Sequence, residues 1–187
     1  KDESTRIDLR VEVAEAPWGG GYDGIVVPVD ERGEVGVAGR RFDAALSARA
    51  GALLLAIERE VRSLPADRGE LRAGSVVAFE AALGRSPAGE PDVVHVLAVS
   101  PVPLDAPPGV GYRGSERQRL QALELVGAAV VRTAVARGLR HVATPLVGMG
   151  DGRLDPEQAT GALLLGMLAA WEDVERPLGS RYPLEVV

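Results

Sequence analysis

Thr144–Ala159 reads TPLVGMGDGRLDPEQA, a short apolar run, a glycine-spaced loop and the opening of a helix. The apolar residues His141–Leu146 match a buried strand in length and composition. Gly148, Gly150 and Gly152 then fall at alternate positions, where the absence of a Cβ lets backbone N–H groups turn toward a ligand and lets the ligand approach. Asp155-Pro156 begins a helical pattern over Pro156–Trp171, with Asp155 as N-cap and proline in the first turn. The positive end of that helix suits a diphosphate. A tight strand-to-helix connection uses glycine in the same way, and both readings stand on this stretch alone.

Working outward, strands and helices alternate. Ile7–Ala14 alternates apolar and polar residues as a half-buried strand does, and Ile25–Val29 is wholly apolar. The spacing of Leu46, Leu53, Leu54, Ile57 and Val61 predicts a helix over Phe42–Leu64 with one buried face. Ser75–Ala82 and Val93–Ser100 read as strands separated by a turn over Gly84–Asp92. A helix is expected from Ser115 to Arg137, opened by a Ser115/Gln118 capping box and closed by Gly138. Pro183–Val187 would be a last strand. This order predicts an α/β fold with a mixed, mostly parallel sheet and helices on both faces. Ligands of such sheets sit at the carboxyl ends of the strands, where the glycine loops fall.

Composition bounds the chemistry. The 187 residues are 46% hydrophobic and 26% charged, enough for one buried core and short for two domains. A net charge of −6 and a pI near 5.1 argue against a nucleic-acid surface. The absence of cysteine excludes disulfides, thiolate metal sites and a cysteine nucleophile, and two histidines, His95 and His141, do not make a histidine-rich zinc site. No apolar run reaches the length of a membrane-spanning helix. The chain opens at Lys1 and closes within the apolar run ending at Val187, from which a single domain cut from a longer protein is expected. The cytoplasm is the default location.

With its elements in this order the chain resembles a macrodomain, the ADP-ribose-binding module. The resemblance is carried by Asp23–Val27 (DGIVV), Ala45–Gly51 (ALSARAG), Leu71–Val77 (LRAGSVV), Val93–Val96 with Pro101, and Thr144–Ala159. The macro-like N-terminal domain of leucyl aminopeptidases is similar in the same places. The resemblance implies a three-layer α/β/α sandwich that takes ADP-ribose or a related NAD-derived nucleotide as a ligand, with no cofactor and no metal. Val147, Gly148, Met149, Gly150, Asp151 and Gly152 would hold the diphosphate together with Gly36 and Gly39, and a pocket near Glu15 and Asp23 would take the adenosine. For Glu15 an exposed loop residue is the favoured reading, and Asp151 counts mildly against a phosphate.

Little or no hydrolysis is expected; the carboxylates able to act as a base for any that occurs are Asp30 and Asp43. Where hydrolytic macrodomains have an asparagine after the first conserved strand, this chain has Val27, and Asp30 falls at a second polar position. Valine cannot orient a water or a ribose hydroxyl. In place of a triple glycine stand Gly33, Gly36 and Gly39. His95 is expected to be a satisfied structural histidine and His141 to complement a helix C-terminus. Tyr112 and Arg113 are loop residues able to stack on a ring or pair with a phosphate, or else plain rim residues, and Trp18 is favoured as a loop anchor packing on the sheet edge over a residue stacking on an adenine. The expected partners are a small-molecule nucleotide and other domains of a longer protein, with neither nucleic acid nor membrane. The alternative is a degenerate macro-like interaction or regulatory domain without nucleotide binding.

Overall fold

The computed structural model describes residues 9–11, 22–29, 51–63, 74–85, 91–100, 115–148, 154–174 and 184–186. In chain order these form β1 (Leu9–Val11), β2 (Gly24–Pro28), α1 (Gly51–Arg62), β3 (Val76–Arg85), β4 (Pro91–Val99), α2 (Glu116–Ala136), β5 (His141–Ala143), α3 (Pro156–Asp173) and β6 (Leu184–Val186).

The strands make one sheet in the order β1-β6-β5-β2-β4-β3. Every neighbouring pair is parallel except β3 with β4, which form an antiparallel hairpin. Alternation along the central strands sends side chains to two separate cores. Ile25, Val27, Val96 and Ala98 face one layer, where Ile57 and Val61 of α1 close over them. Val26, Leu97, Val99 and Val142 face the other, covered by α2 and α3. The result is the expected three-layer α/β/α sandwich with a mixed, mostly parallel sheet. Each fully buried Val, Leu or Ile contributes about 1.5–3 kcal/mol, so the scarcity of aromatics is no obstacle to a core.

Helix ends follow the local chemistry. Ser115 Oγ accepts from the Gln118 N–H, Gln118 Oε1 accepts from the Ser115 N–H, and Gly138 beyond α2 has φ +71°. α2 and α3 cross closely because each is glycine at the crossing. A Cβ on Gly127 would lie 2.1 Å from the Leu163 carbonyl oxygen, and one on Gly166 would lie 1.8 Å from that of Glu124.

Two boundaries differ from expectation. β5 stops at Ala143 rather than Leu146, because Pro145 has no N–H for the ladder and disfavours helix and strand continuation around it. The β3–β4 hairpin extends into the expected turn, pairing Gly84 with Asp92 and Arg85 with Pro91 beyond an irregularity between Ala82 and Gly84. Of the helix expected over Phe42–Leu64, Gly51–Arg62 is helical as expected, and Leu46 lies outside the described residues.

Candidate functional site

The connections out of β2 and β5 set the position of the site. From β2 the chain passes to α1 on one face of the sheet and on to β3 and β4 at one side. From β5 it passes to α3 on the opposite face and on to β6 at the other side. Adjacent parallel strands whose connections part in this way leave a crevice at their carboxyl ends, the place where open α/β sheets take ligands.

Val147 and Gly148 stand at that crevice, just past the end of β5. The Val147 side chain is buried in the core, so only its backbone remains for a ligand. Gly148 has φ +88°, and a Cβ there would lie 3.0 Å from Leu123 Cδ1 and 3.3 Å from Leu154 Cδ1. Both facts require glycine whether or not a ligand is bound. Leu154 N–H donates to the Gly148 carbonyl at 3.3 Å, pinning the ends of the loop over residues 149–153 to one another. Met149, Gly150, Asp151 and Gly152 within it, like Glu15, Asp30, Gly33, Gly36, Gly39, Asp43, Tyr112, Arg113 and Trp18, lie outside the described residues.

The helix after the loop does not present free donors, contrary to the expectation from its dipole. Pro156 has no N–H; the N–H groups of Glu157 and Gln158 both donate to Asp155 Oδ1, at 3.0 and 3.2 Å; and Ala159 N–H donates to the Asp155 carbonyl at 2.9 Å. All first-turn donors are therefore satisfied internally, and the end carries the carboxylates of Asp155 and Glu157. An anion bound here must take its hydrogen bonds from elsewhere.

Asp23 is not brought to this crevice. It precedes β2 at the amino end of the sheet, level with the start of β5, whereas Gly148 lies beyond the end of β5. Its Oδ2 accepts the backbone N–H groups of Arg140 and His141, at 2.8 and 3.1 Å. The motif reading missed this tie, because a carboxylate holding backbone N–H groups 117 residues away has no local signature. His141 Nδ1 lies 3.7 Å from the same carboxylate. His95 is in β4 as expected, but it is not satisfied. Its Nδ1 is buried without a hydrogen-bond partner among the described residues, and Nε2 stands 4.0 Å from Glu80.

Two further residues bear on chemistry. Val27, which the sequence resemblance sets against an asparagine, is 2% exposed and packs in the α1-side core. Ser100, at the carboxyl end of β4, is fully buried, and its hydroxyl has no hydrogen-bond partner among the described residues. Among the described residues there is no group of three or more His, Asp or Glu able to hold a metal ion, and no helix long and apolar enough to cross a membrane.

A three-layer sandwich with this strand order and this crevice defines the class: the fold is that of the macrodomains. The chain is similar to the Oceanobacillus iheyensis macrodomain with MES bound, at a TM-score of 0.63 and 15% identity over 97% of this chain and 85% of that one. A variant of the same macrodomain with ADPR gives 0.64 and 16% over 97% and 87%. The macrodomain of Mycobacterium tuberculosis DarG gives 0.56 and 16% over 97% of each chain. No protein-family model matches the sequence, and no curated protein matches it.

Proposed function

We propose that the protein is a macrodomain-type reader that binds ADP-ribose or a related NAD-derived nucleotide in the crevice at the carboxyl ends of β2 and β5. The observation that carries this reading is the glycine-bearing stretch after β5, opened by Gly148 at φ +88°, where the connections out of the adjacent parallel strands β2 and β5 part. The loop from Gly148 to Gly152 supplies backbone N–H groups to the diphosphate, because the first turn of α3 has none left to give. Among the solved structures of this fold, a variant of the Oceanobacillus iheyensis macrodomain is described with ADPR and that macrodomain with ADP, which supports a nucleotide of this size.

The reader has little or no hydrolase activity. The buried Val27 side chain offers no group to orient a water, and it faces the core under α1 rather than a ligand. The test is isothermal titration with ADP-ribose, with AMP and NAD as controls. Binding in the micromolar range, abolished by Gly150→Glu, is the expected result. No heat and no thermal shift at millimolar ADP-ribose would leave the fold without its nucleotide.

A further inference from the structure

We infer that Arg119 is the cation that holds the diphosphate at the mouth of the crevice, an inference that rests on the nucleotide reading of that site. α2 carries the chain from the end of β4 back to the start of β5, and both strands run parallel to β2. It therefore runs antiparallel to the strands, with its first turns at their carboxyl ends. Leu123 of this helix is the side chain that meets Gly148. Arg119 lies four residues earlier, on the same helix face and about 6 Å nearer the rim. Side chains on a helix lean toward its N-terminus, which carries the guanidinium further along that line. Arg119 is half-buried with its Nε shielded from solvent, whereas Arg117, off that face, is exposed.

Charge gives this placement its purpose. Among the described residues, the rim beside Gly148 carries the carboxylates of Asp155 and Glu157 at the start of α3 and of Glu116, next to the outward-facing Arg117, at the start of α2. A diphosphate seated among these carboxylates is repelled unless a fixed positive charge offsets them, since unit charges at 4 Å interact by about 1 kcal/mol in water and about 4 near a protein surface. A guanidinium meets two phosphate oxygens at once through its planar fork, which an ammonium cannot do. Packing of Leu123 on a glycine with no room for a Cβ fixes the separation between this helix and the loop.

The experiment is titration of the unmodified chain, Arg119→Leu and Arg119→Lys with ADP-ribose, adenosine and inorganic pyrophosphate, at two salt concentrations. A lost charge-assisted contact corresponds to roughly a ten- to hundred-fold weakening, expected for ADP-ribose with Arg119→Leu, with a flatter salt dependence. Adenosine, which has no phosphate, is expected to bind both proteins alike, and Arg119→Lys to fall between the other two. Equal ADP-ribose affinity in the unmodified chain and Arg119→Leu would overturn the role of Arg119 and leave the nucleotide reading intact. Pyrophosphate binding that Arg119→Leu abolishes, without any ADP-ribose binding, would support the anion site and overturn the nucleotide. Silence of the unmodified chain toward all three ligands would overturn both. Should Arg119→Leu fail to fold by circular dichroism, unchanged affinity in Arg119→Lys overturns the inference.

Discussion

The Asp23 carboxylate accepts the backbone N–H of Arg140 at 2.8 Å, tying the start of β2 to the start of β5. With the His141 N–H on the same oxygen, it sets the level of two parallel strands that no turn connects. Asp23→Ala is expected to cost about 1–3 kcal/mol, because both donors lose an ionised partner. Asp23→Asn keeps one acceptor oxygen and is expected to cost less than half as much. Thermal unfolding of both variants checks the order. Equal losses would mean that the carboxylate charge matters and its geometry does not.

Gly166 and Gly161 lie on one helix and should respond to alanine with opposite signs. A Cβ at Gly166 would lie 1.8 Å from the Glu124 carbonyl oxygen, while at Gly161 nothing stands within 4 Å. Gly166→Ala must push α2 and α3 apart and is expected to cost about 3 kcal/mol, a fall of roughly 6–12 °C in Tm. Gly161→Ala removes unfolded-state freedom at an exposed helical position and should add up to about 1 kcal/mol. A Tm that falls in both variants would refute the close helix crossing as the reason for Gly166.

How much of this was readable in the sequence depends on how local the cause is. The ends of α2 and α3 were legible because Ser115, Gln118, Gly138, Asp155 and Pro156 act within four residues of themselves. The two-faced alternation of Ile25, Val26 and Val27 was equally open to reading, and with it the layered architecture. Strand order was not, since β6 inserting between β1 and β5 depends on pairings across the whole chain. Of the candidate site, the crevice and Gly148 were legible from glycine spacing after a strand. The closure of the α3 donors by Asp155 follows from the cap itself, since the N–H groups that a helix dipole would offer to an anion are the ones a capping carboxylate takes. The place of Asp23 was obscured by motif likeness, because a carboxylate beside a strand looks the same at either end of the sheet.

Ser100 tests the orphaned hydroxyl at the end of β4. A buried hydroxyl without a partner is destabilising, so Ser100→Ala is expected to leave stability unchanged or raise it by about 1 kcal/mol. Urea unfolding decides this. A loss above the error of the measurement would show that the hydroxyl has a partner in solution, an ordered water being the simplest.

Val27→Asn restores the residue type that hydrolytic macrodomains carry, yet it should not restore hydrolysis. The side chain points into the core with Ile57 and Val61, and an unpaired amide there is expected to cost about 2–4 kcal/mol. Release of ADP-ribose from a modified substrate by Val27→Asn, in a protein that remains folded, would contradict this placement.

Asp155 couples stability to binding with opposite signs. Its Oδ1 caps α3 through Glu157 and Gln158, and Asp155→Ala is expected to destabilise the protein by about 1 kcal/mol. The same change frees both N–H groups at the crevice and removes a negative charge from beside a diphosphate. ADP-ribose affinity is therefore expected to rise several-fold as Tm falls, an attractive helix-end term of about 0.3–1 kcal/mol adding to the lost repulsion. Asp155→Asn separates the two contributions: it keeps an acceptor for the cap while deleting the charge, so it should gain part of the affinity with little loss of stability. Paired titration and unfolding of the two variants are the measurements. Affinity that falls together with stability in Asp155→Ala would place the diphosphate away from the first turn of α3.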